Sequence, residues 1–392
     1  MKIGILLPAI YTANRYLDGR IFAPLTVAKD LADGLVGKGH EVFFYTSKDV
    51  VSKAHIVKGD ENLTDTDPFY YQFRYRDSSE QKYATLEIIK RDFEYDLTMR
   101  AYKDAQSGNL DILHSFHDFG AHYFNELTNF PTVYTLHDPI PQTKDTIEYH
   151  RLFKFKHHNF ISISNFQRKG AAALNFVATI YHGLKLDDYE FQDKTGEYLI
   201  YFGRLLEDKG ADLAIQAAIQ TDHSLHIATS DIRSNRSEGF YKTAIEPFLD
   251  DPHVTIQGFL EGKEKSDYIK NAKAFLMPLR WDEPFGLVML EAMACGTPVI
   301  AYNRGSVSEI VRDGVTGFII DPDNEERPGK GTWVIKKQGI EGLKEAIGRI
   351  REIDRKMCRK HVEENFTVEK MVEGYEKVYK NVLASQGRTL QG

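Results

Sequence analysis

The sequence predicts an α/β protein built from two Rossmann-like, doubly wound domains, and three observations carry that prediction. The 392 residues exceed one ordinary core and suit two at roughly 150 residues each. Short β-branched runs alternate with stretches of helical periodicity, the signature of β-α units around a parallel sheet. The alternation also stops at a polar stretch, Asp187–Gly196, and then restarts.

In the first half, Lys2–Leu7 reads as a buried strand, Ala23–Lys38 as an amphipathic helix closed by Gly39, and Glu41–Tyr45 as the next strand. Further strands are expected at Ile112–Ser115, Thr132–Leu136 and Phe160–Ser164. Ligands of such sheets sit at the carboxyl ends of the strands, which places His114, His117, His137, Asp138 and Ser164 where chemistry is expected. The second half opens with Tyr198–Phe202 and continues with strands at Leu225–Ala228, Val254–Ile256, Ala274–Pro278, Pro298–Tyr302 and Gly317–Ile320. Helices are expected between them at Asp212–Gln220 and, after the last strand, Ile340–Ile353. A final helix, Val368–Leu383, carries an apolar stripe at Met371, Val372, Tyr375, Val378, Tyr379 and Val382, so it must cover a surface. The expected domains are residues 1–186, 187–367 and the helix 368–392, packing back across the boundary.

Composition narrows the function. With 42% apolar and 27% charged residues the chain is globular. A net charge of -7 argues against a general nucleic-acid binder. Two cysteines, Cys295 and Cys358, are too few for a disulfide framework and agree with a reducing compartment. Pro8 interrupts the apolar start, and no run approaches the 18 or so apolar residues of a membrane span. A cytoplasmic protein is expected, with peripheral membrane attachment as a second option.

The most informative segment is Trp281–Pro298. Pro284 favours a turn, strong helix formers follow Gly286, and Gly296 supplies a stop. The amides of Phe285, Gly286 and Leu287 at that helix start make an anion site, which a glycine lets a phosphate approach closely. Glu291 lies about 7.5 Å further along the axis, an offset that suits a ribose hydroxyl beyond a diphosphate. Glu283 precedes the helix, where it can bond hydroxyls of whatever the diphosphate carries. Arg204 and Lys209 leave the end of strand Tyr198–Phe202 in one loop, and two fixed cations neutralise a diphosphate without a metal ion. Taken singly, each is an ordinary surface charge; Glu291, among Leu290, Met293 and Ala294, needs a partner in any case.

Glu283 to Glu291 followed by Ala292-Met293-Ala294-Cys295-Gly296-Thr297-Pro298 resembles the E-x7-E signature of retaining GT-B glycosyltransferases, and is similar to glycosyltransferase family 4. Gly203-Arg204 with Lys209-Gly210 resembles that family's diphosphate loop, and Gly305 to Gly317 the stretch that follows. The first half is looser, at Asp18-Gly19-Arg20, Lys38 to Val42, His114 to His117, Thr135 to Asp138 and Ser162 to Asn165. The resemblance implies two domains facing a cleft, a UDP-, GDP- or ADP-linked sugar donor held by the second, and an acceptor held by the first. It makes Arg204 and Lys209 the residues that neutralise the leaving diphosphate. Glu283 would contact the donor sugar, Glu291 the ribose, and His117 would reach the sugar from the first domain. Gly19 and Arg20 form a candidate acceptor or phosphate loop, with Arg20 standing where relatives carry a second glycine. No cofactor is implied. The runner-up reading is a nucleotide-sugar-binding protein without turnover; a sugar phosphorylase would need bound pyridoxal phosphate.

Three other signals carry less weight. Asp65-Thr66-Asp67 matches a metal-binding D-x-D pattern that is frequent by chance. His114-x-x-His117 and His157-His158 lack further ligands at suitable spacing, so no metal is expected. Arg151–His158 mixes basic and aromatic residues, which suits an anionic membrane or a lipid-linked acceptor but is more simply a solvated basic face.

Overall fold

A computed structural model describes residues 1–17, 22–65, 79–116, 119–229, 238–323 and 333–387. The first sheet has seven strands: β1 (Lys2–Leu6), β2 (Glu41–Thr46), β3 (His55–Lys58), β4 (Ile112–Ser115), β5 (Thr132–Thr135), β6 (Asn159–Ser162) and β7 (Phe176–Thr179). They run parallel in the order β3-β2-β1-β4-β5-β6-β7. The second has six: β8 (Tyr198–Phe202), β9 (Leu225–Ala228), β10 (Val254–Ile256), β11 (Ala272–Met277), β12 (Val299–Tyr302) and β13 (Gly317–Ile320). These too are parallel, in the order β10-β9-β8-β11-β12-β13. Each order reverses direction beside the first strand of its unit, the doubly wound arrangement expected of the sequence.

The chain divides into two units, the first comprising Met1–Ile163, Arg168–Tyr181 and the segment from Val368, the second Ser164–Gln167 and His182–Thr367. The polar stretch 187–196 is therefore part of unit 2. Its polar groups are spent on that unit: Glu190 pairs with Lys270 at 2.7 Å, Asp193 with Lys356 at 3.2 Å, and Arg355 donates to the Gln192 carbonyl at 2.7 Å.

Unit 1 is covered by helices α1 (Ala23–Gly37), α2 (Ser79–Gln106), α3 (Gly120–Thr128) and α4 (Ile147–Lys154). Helix α1 begins with a proline at its first turn and buries Val27, Ala28, Leu31, Ala32 and Leu35, a three-four stripe. On α2, Ile89, Phe93, Leu97 and Ala101 recur every four residues and are buried in the core with Tyr45, Leu113 and Tyr134. Unit 2 carries α5 (Ala211–Gln220), α6 (Gly262–Lys270), α7 (Leu287–Ala294), α8 (Gly339–Arg349) and α9 (Arg355–Asn365).

The last helix, α10 (Val368–Ser385), belongs to unit 1 and packs against α1. A Cβ on Gly34 of α1 would lie 2.5 Å from Val372 Cγ2, so the glycine permits this close approach. The stripe foreseen from its periodicity is buried in full and extends to Leu383. Each such side chain contributes about 1.5–3 kcal/mol relative to exposure.

His114, expected among chemistry-bearing strand ends, is instead a core residue. It is wholly buried, with Nδ1 2.7 Å from Tyr379 Oη on α10 and Nε2 2.7 Å from Thr135 Oγ1 on β5. Ser164 is also buried and accepts the Gln167 amide at 3.1 Å, capping a short turn. On α4, Arg151 lies 3.6 Å from the centroid of the Phe119 ring and Lys154 4.7 Å from that of Tyr123. Two of the basic residues of 151–158 thus rest on aromatic faces of their own unit. Gly19, Arg20, His117, Thr66 and Asp67 lie outside the described residues. Among the described residues, no helix is long and apolar enough to cross a membrane.

Candidate functional site

The switch point of unit 2 lies between β8 and β11, whose following loops, 203–210 and 278–286, both emerge at the carboxyl edge of the sheet. Three devices lock these loops. The buried Tyr201 donates from Oη to the carbonyls of Arg204 (3.2 Å) and Lys209 (3.3 Å), one hydroxyl tying both ends of its loop. Arg280 crosses from the other loop: its amide donates to the Asp208 carbonyl (2.8 Å) and its guanidinium to the Glu207 carbonyl (2.7 Å). The same guanidinium grips both oxygens of Asp212 at 2.8 and 2.6 Å. Gly210 adopts φ 73°, and a Cβ there would sit 2.0 Å from the Pro278 carbonyl oxygen.

This lock fixes Lys209. Its Nζ lies 3.2 Å from Glu283 Oε2 and 3.7 Å from the centroid of the Trp281 ring, while Trp281 Nε1 donates to the same Glu283 oxygen at 3.0 Å. Burial pulls the Lys209 pKa below the usual lysine range, and the Arg204 charge pushes the same way; Glu283 and Asp208 oppose them. Arg204 itself is exposed on the loop. Glu283 is set from behind by the turn after β12. The Ser306 amide donates to the Glu283 carbonyl (2.9 Å), Ser306 Oγ to the Phe285 carbonyl (2.6 Å), and the Gly305 amide to Asp282 Oδ1 (3.1 Å). At Gly305, φ is 62° and a Cβ would fall 2.2 Å from the Glu283 carbonyl oxygen, so the turn requires glycine.

Helix α7 starts where the sequence placed it, with Gly286 as its left-handed cap at φ 89° and ψ 62°. The first amides of a helix have no acceptor within it, and Gly286 and Leu287 are only partly buried. Glu291 has found partners that the sequence did not show: Lys265 Nζ from α6 at 2.6 Å and Tyr189 Oη at 3.1 Å. Lys265 and Glu291 side chains are each 14% exposed, so the pair is a half-sheltered charge couple at the edge of the site. Burial and the Glu291 charge hold the Tyr189 hydroxyl well above its usual range, protonated and donating. Of the expected residues in unit 2, the structure therefore unites Lys209 with Glu283 and gives Glu291 a separate cluster.

Sequence reasoning missed Arg280, Asp212, Tyr201, Lys265 and Tyr189. Arg280, next to Trp281 in an otherwise apolar strand exit, was the one legible signal. Its planar fork matches Asp212, which lysine cannot reproduce. Arg280→Lys is expected to lower turnover about tenfold and stability by about 1 kcal/mol, checked by steady-state assay alongside urea denaturation.

Residues 186–330 match the family of glycosyl transferases group 1. A putative glycosyltransferase of Bacillus subtilis (strain 168), YtcC, is 30% identical over 209 residues, 51% of this chain; the chain spans about half that relative's length, 48%. Among solved structures, sucrose-phosphate synthase from Thermosynechococcus elongatus superposes with a TM-score of 0.71 at 18% identity, covering 98% of this chain and 99% of that one. Anabaena HepE in complex with UDP and glucose gives 0.66 at 16% identity, covering 97% and 100%. Such likeness establishes the fold: the chain has the GT-B architecture of two Rossmann-like domains.

Proposed function

We propose that this chain is a retaining glycosyltransferase of family 4 type that moves a sugar from a nucleoside-diphosphate donor to an acceptor hydroxyl without a catalytic metal. The observation that carries the proposal is the Lys209 ammonium, held on Glu283 and Trp281 at the switch point of unit 2. As the bond from the anomeric carbon to the diphosphate oxygen breaks, its electron pair passes to that oxygen. Lys209, Arg204 and the first amides of α7 stabilise the growing charge. The acceptor oxygen bonds to the same face of the anomeric carbon and its proton passes to the leaving diphosphate, so charge and atoms balance. Glu283 orients sugar hydroxyls, and Glu291 with Lys265 offers both an acceptor and a donor to the ribose. The HepE complex with UDP and glucose makes UDP-linked sugars the first donors to try.

The test is nucleotide release from UDP-, GDP- and ADP-sugars, with and without chelator, with the anomeric configuration of the product read by NMR. Release from one donor class, retained configuration and indifference to chelator are expected. Loss of turnover on chelation removes the metal-free mechanism, and no release from any donor across a broad acceptor set leaves a binding protein.

A further inference from the structure

We propose that Glu126, His157 and His158 form a binding site for a divalent transition-metal ion of the zinc class, independent of the sugar chemistry. Sequence spacing offered His157-His158 no further ligand; the fold supplies one from another element. Glu126 sits on the last turn of α3, and the histidine pair immediately precedes β6. Glu126 Oε1 lies 2.8 Å from His157 Nε2 and 2.9 Å from His158 Nε2, and the three candidate ligand atoms all fall within 4.8 Å of one another.

Two imidazole nitrogens and a carboxylate oxygen are a donor set that zinc, cobalt and nickel accept, with water completing the shell. Bonds of about 2.0–2.1 Å in a tetrahedron separate ligand atoms by roughly 3.3–3.5 Å, so each Glu126–histidine separation has to open by about half an ångström and the two histidine nitrogens, within 4.8 Å of each other, have to settle to the same spacing. The side chains that must move are free to do so: Glu126 is 45% and His157 63% exposed, whereas His158 is fixed at 6%.

The shell behind the ligands is already built. His158 Nδ1 lies 2.8 Å from His122 Nδ1, and His122 stands one helical turn before Glu126 on α3. One of those two nitrogens carries the hydrogen. With His158 Nε2 giving its lone pair to an ion, its proton resides on Nδ1 and is donated to His122, which fixes both tautomers and the ring plane. His122 is wholly buried and stacked on Tyr134 and Phe155, at centroid distances of 4.0 and 5.1 Å, so this orienting partner cannot swing away.

The location defines the role. The end of α3 and the start of β6 lie at the amino edge of the first sheet, opposite the carboxyl ends of its strands where ligands of such sheets bind. An ion there clips α3 to the lead of β6 and stabilises unit 1.

The experiment titrates the chelator-stripped, full-length protein with zinc sulfate by calorimetry, and with cobalt by visible absorption. One ion per chain is expected, with a melting temperature raised by roughly 5 °C at a hundredfold excess over Kd. His157→Ala and Glu126→Gln, both at exposed positions, should each weaken binding by tenfold or more and abolish the thermal shift. His122→Phe keeps the stack but removes the orienting nitrogen, and should weaken binding about 10–100-fold. Absence of saturable one-to-one binding, or an affinity unchanged in both His157→Ala and Glu126→Gln, overturns the proposal. Sugar-nucleotide turnover of the two variants should match the parent, so the outcome does not depend on the proposed reaction.

Discussion

Lys209→Ala is expected to lower turnover on the order of 100–1000-fold while leaving the protein folded. The structure fixes this ammonium at the switch point, with its distance to Glu283 set by Tyr201, Arg280 and Gly210. A preorganised charge of this kind acts where charge develops, so removing it costs about 3–4 kcal/mol in the transition state. Removal also leaves the Glu283 carboxylate without its counter-ion, which in the proposed reaction adds repulsion against the leaving diphosphate. In the proposed reaction the effect belongs in kcat more than in KM, because the diphosphate charge grows as the bond breaks. A pH profile supplies a second check. Burial lowers the Lys209 pKa, so the ammonium is lost at less alkaline pH than for an ordinary lysine, and turnover should fall through that limb. Lys209→Arg, whose guanidinium does not titrate there, should move the limb away even where its rate is reduced. Unchanged kcat in Lys209→Ala would remove this residue from the site.

The interior strands β4 and β9 coincide with the expected Ile112–Ser115 and Leu225–Ala228, and the edge strands β10 and β13 with Val254–Ile256 and Gly317–Ile320, because each is a short run of strand formers bounded by polar or turn-forming residues. Strands β3 (HIVK) and β7 (FVAT), partly exposed four-residue strands at the two edges of the first sheet, were not read from the sequence. The site divides on the same physical ground. Local chemistry fixes Gly286 as the cap of α7, and the sequence shows it. The lock on Lys209 rests on Arg280 reaching Asp212, 68 residues earlier in the chain, and on Tyr201 reaching the Lys209 carbonyl across a loop, and no periodicity encodes such pairings. Glu291 is the intermediate case: its apolar neighbours announced that a partner must exist, but only the fold names Lys265 and Tyr189. Likewise the stripe on α10 declared a buried face, and only the packing shows α1 and His114 beneath it.

That buried histidine carries the second large expectation. His114→Ala is expected to cost about 3–5 kcal/mol, from the cavity it leaves and from the orphaned Tyr379 hydroxyl. His114→Phe fills the space and isolates the polar term. Thr135 keeps a bond to Tyr375 Oη at 3.1 Å, while Tyr379 Oη loses the ring nitrogen at 2.7 Å, so about 1–3 kcal/mol should go. Adding Tyr379→Phe removes the stranded hydroxyl and should recover most of that loss, since two apolar groups of matched shape replace a bonded pair. The ring also confers acid sensitivity. Complete burial, reinforced by His137, holds the His114 pKa well below its ordinary value. The unfolded chain therefore binds a proton here that the folded chain refuses. The contribution to stability is complete above pH 6.5 and is lost as pH falls below it, at up to about 1.4 kcal/mol per pH unit. Urea denaturation of the parent and of His114→Phe at pH 7.5 and pH 5 separates this from the other histidines: the variant should lose less stability on acidification, by the equivalent of one proton. An identical pH dependence in the two proteins would mean that His114 takes up its proton in the fold as readily as in the unfolded chain, with both ring nitrogens then donating, to Tyr379 and to Thr135.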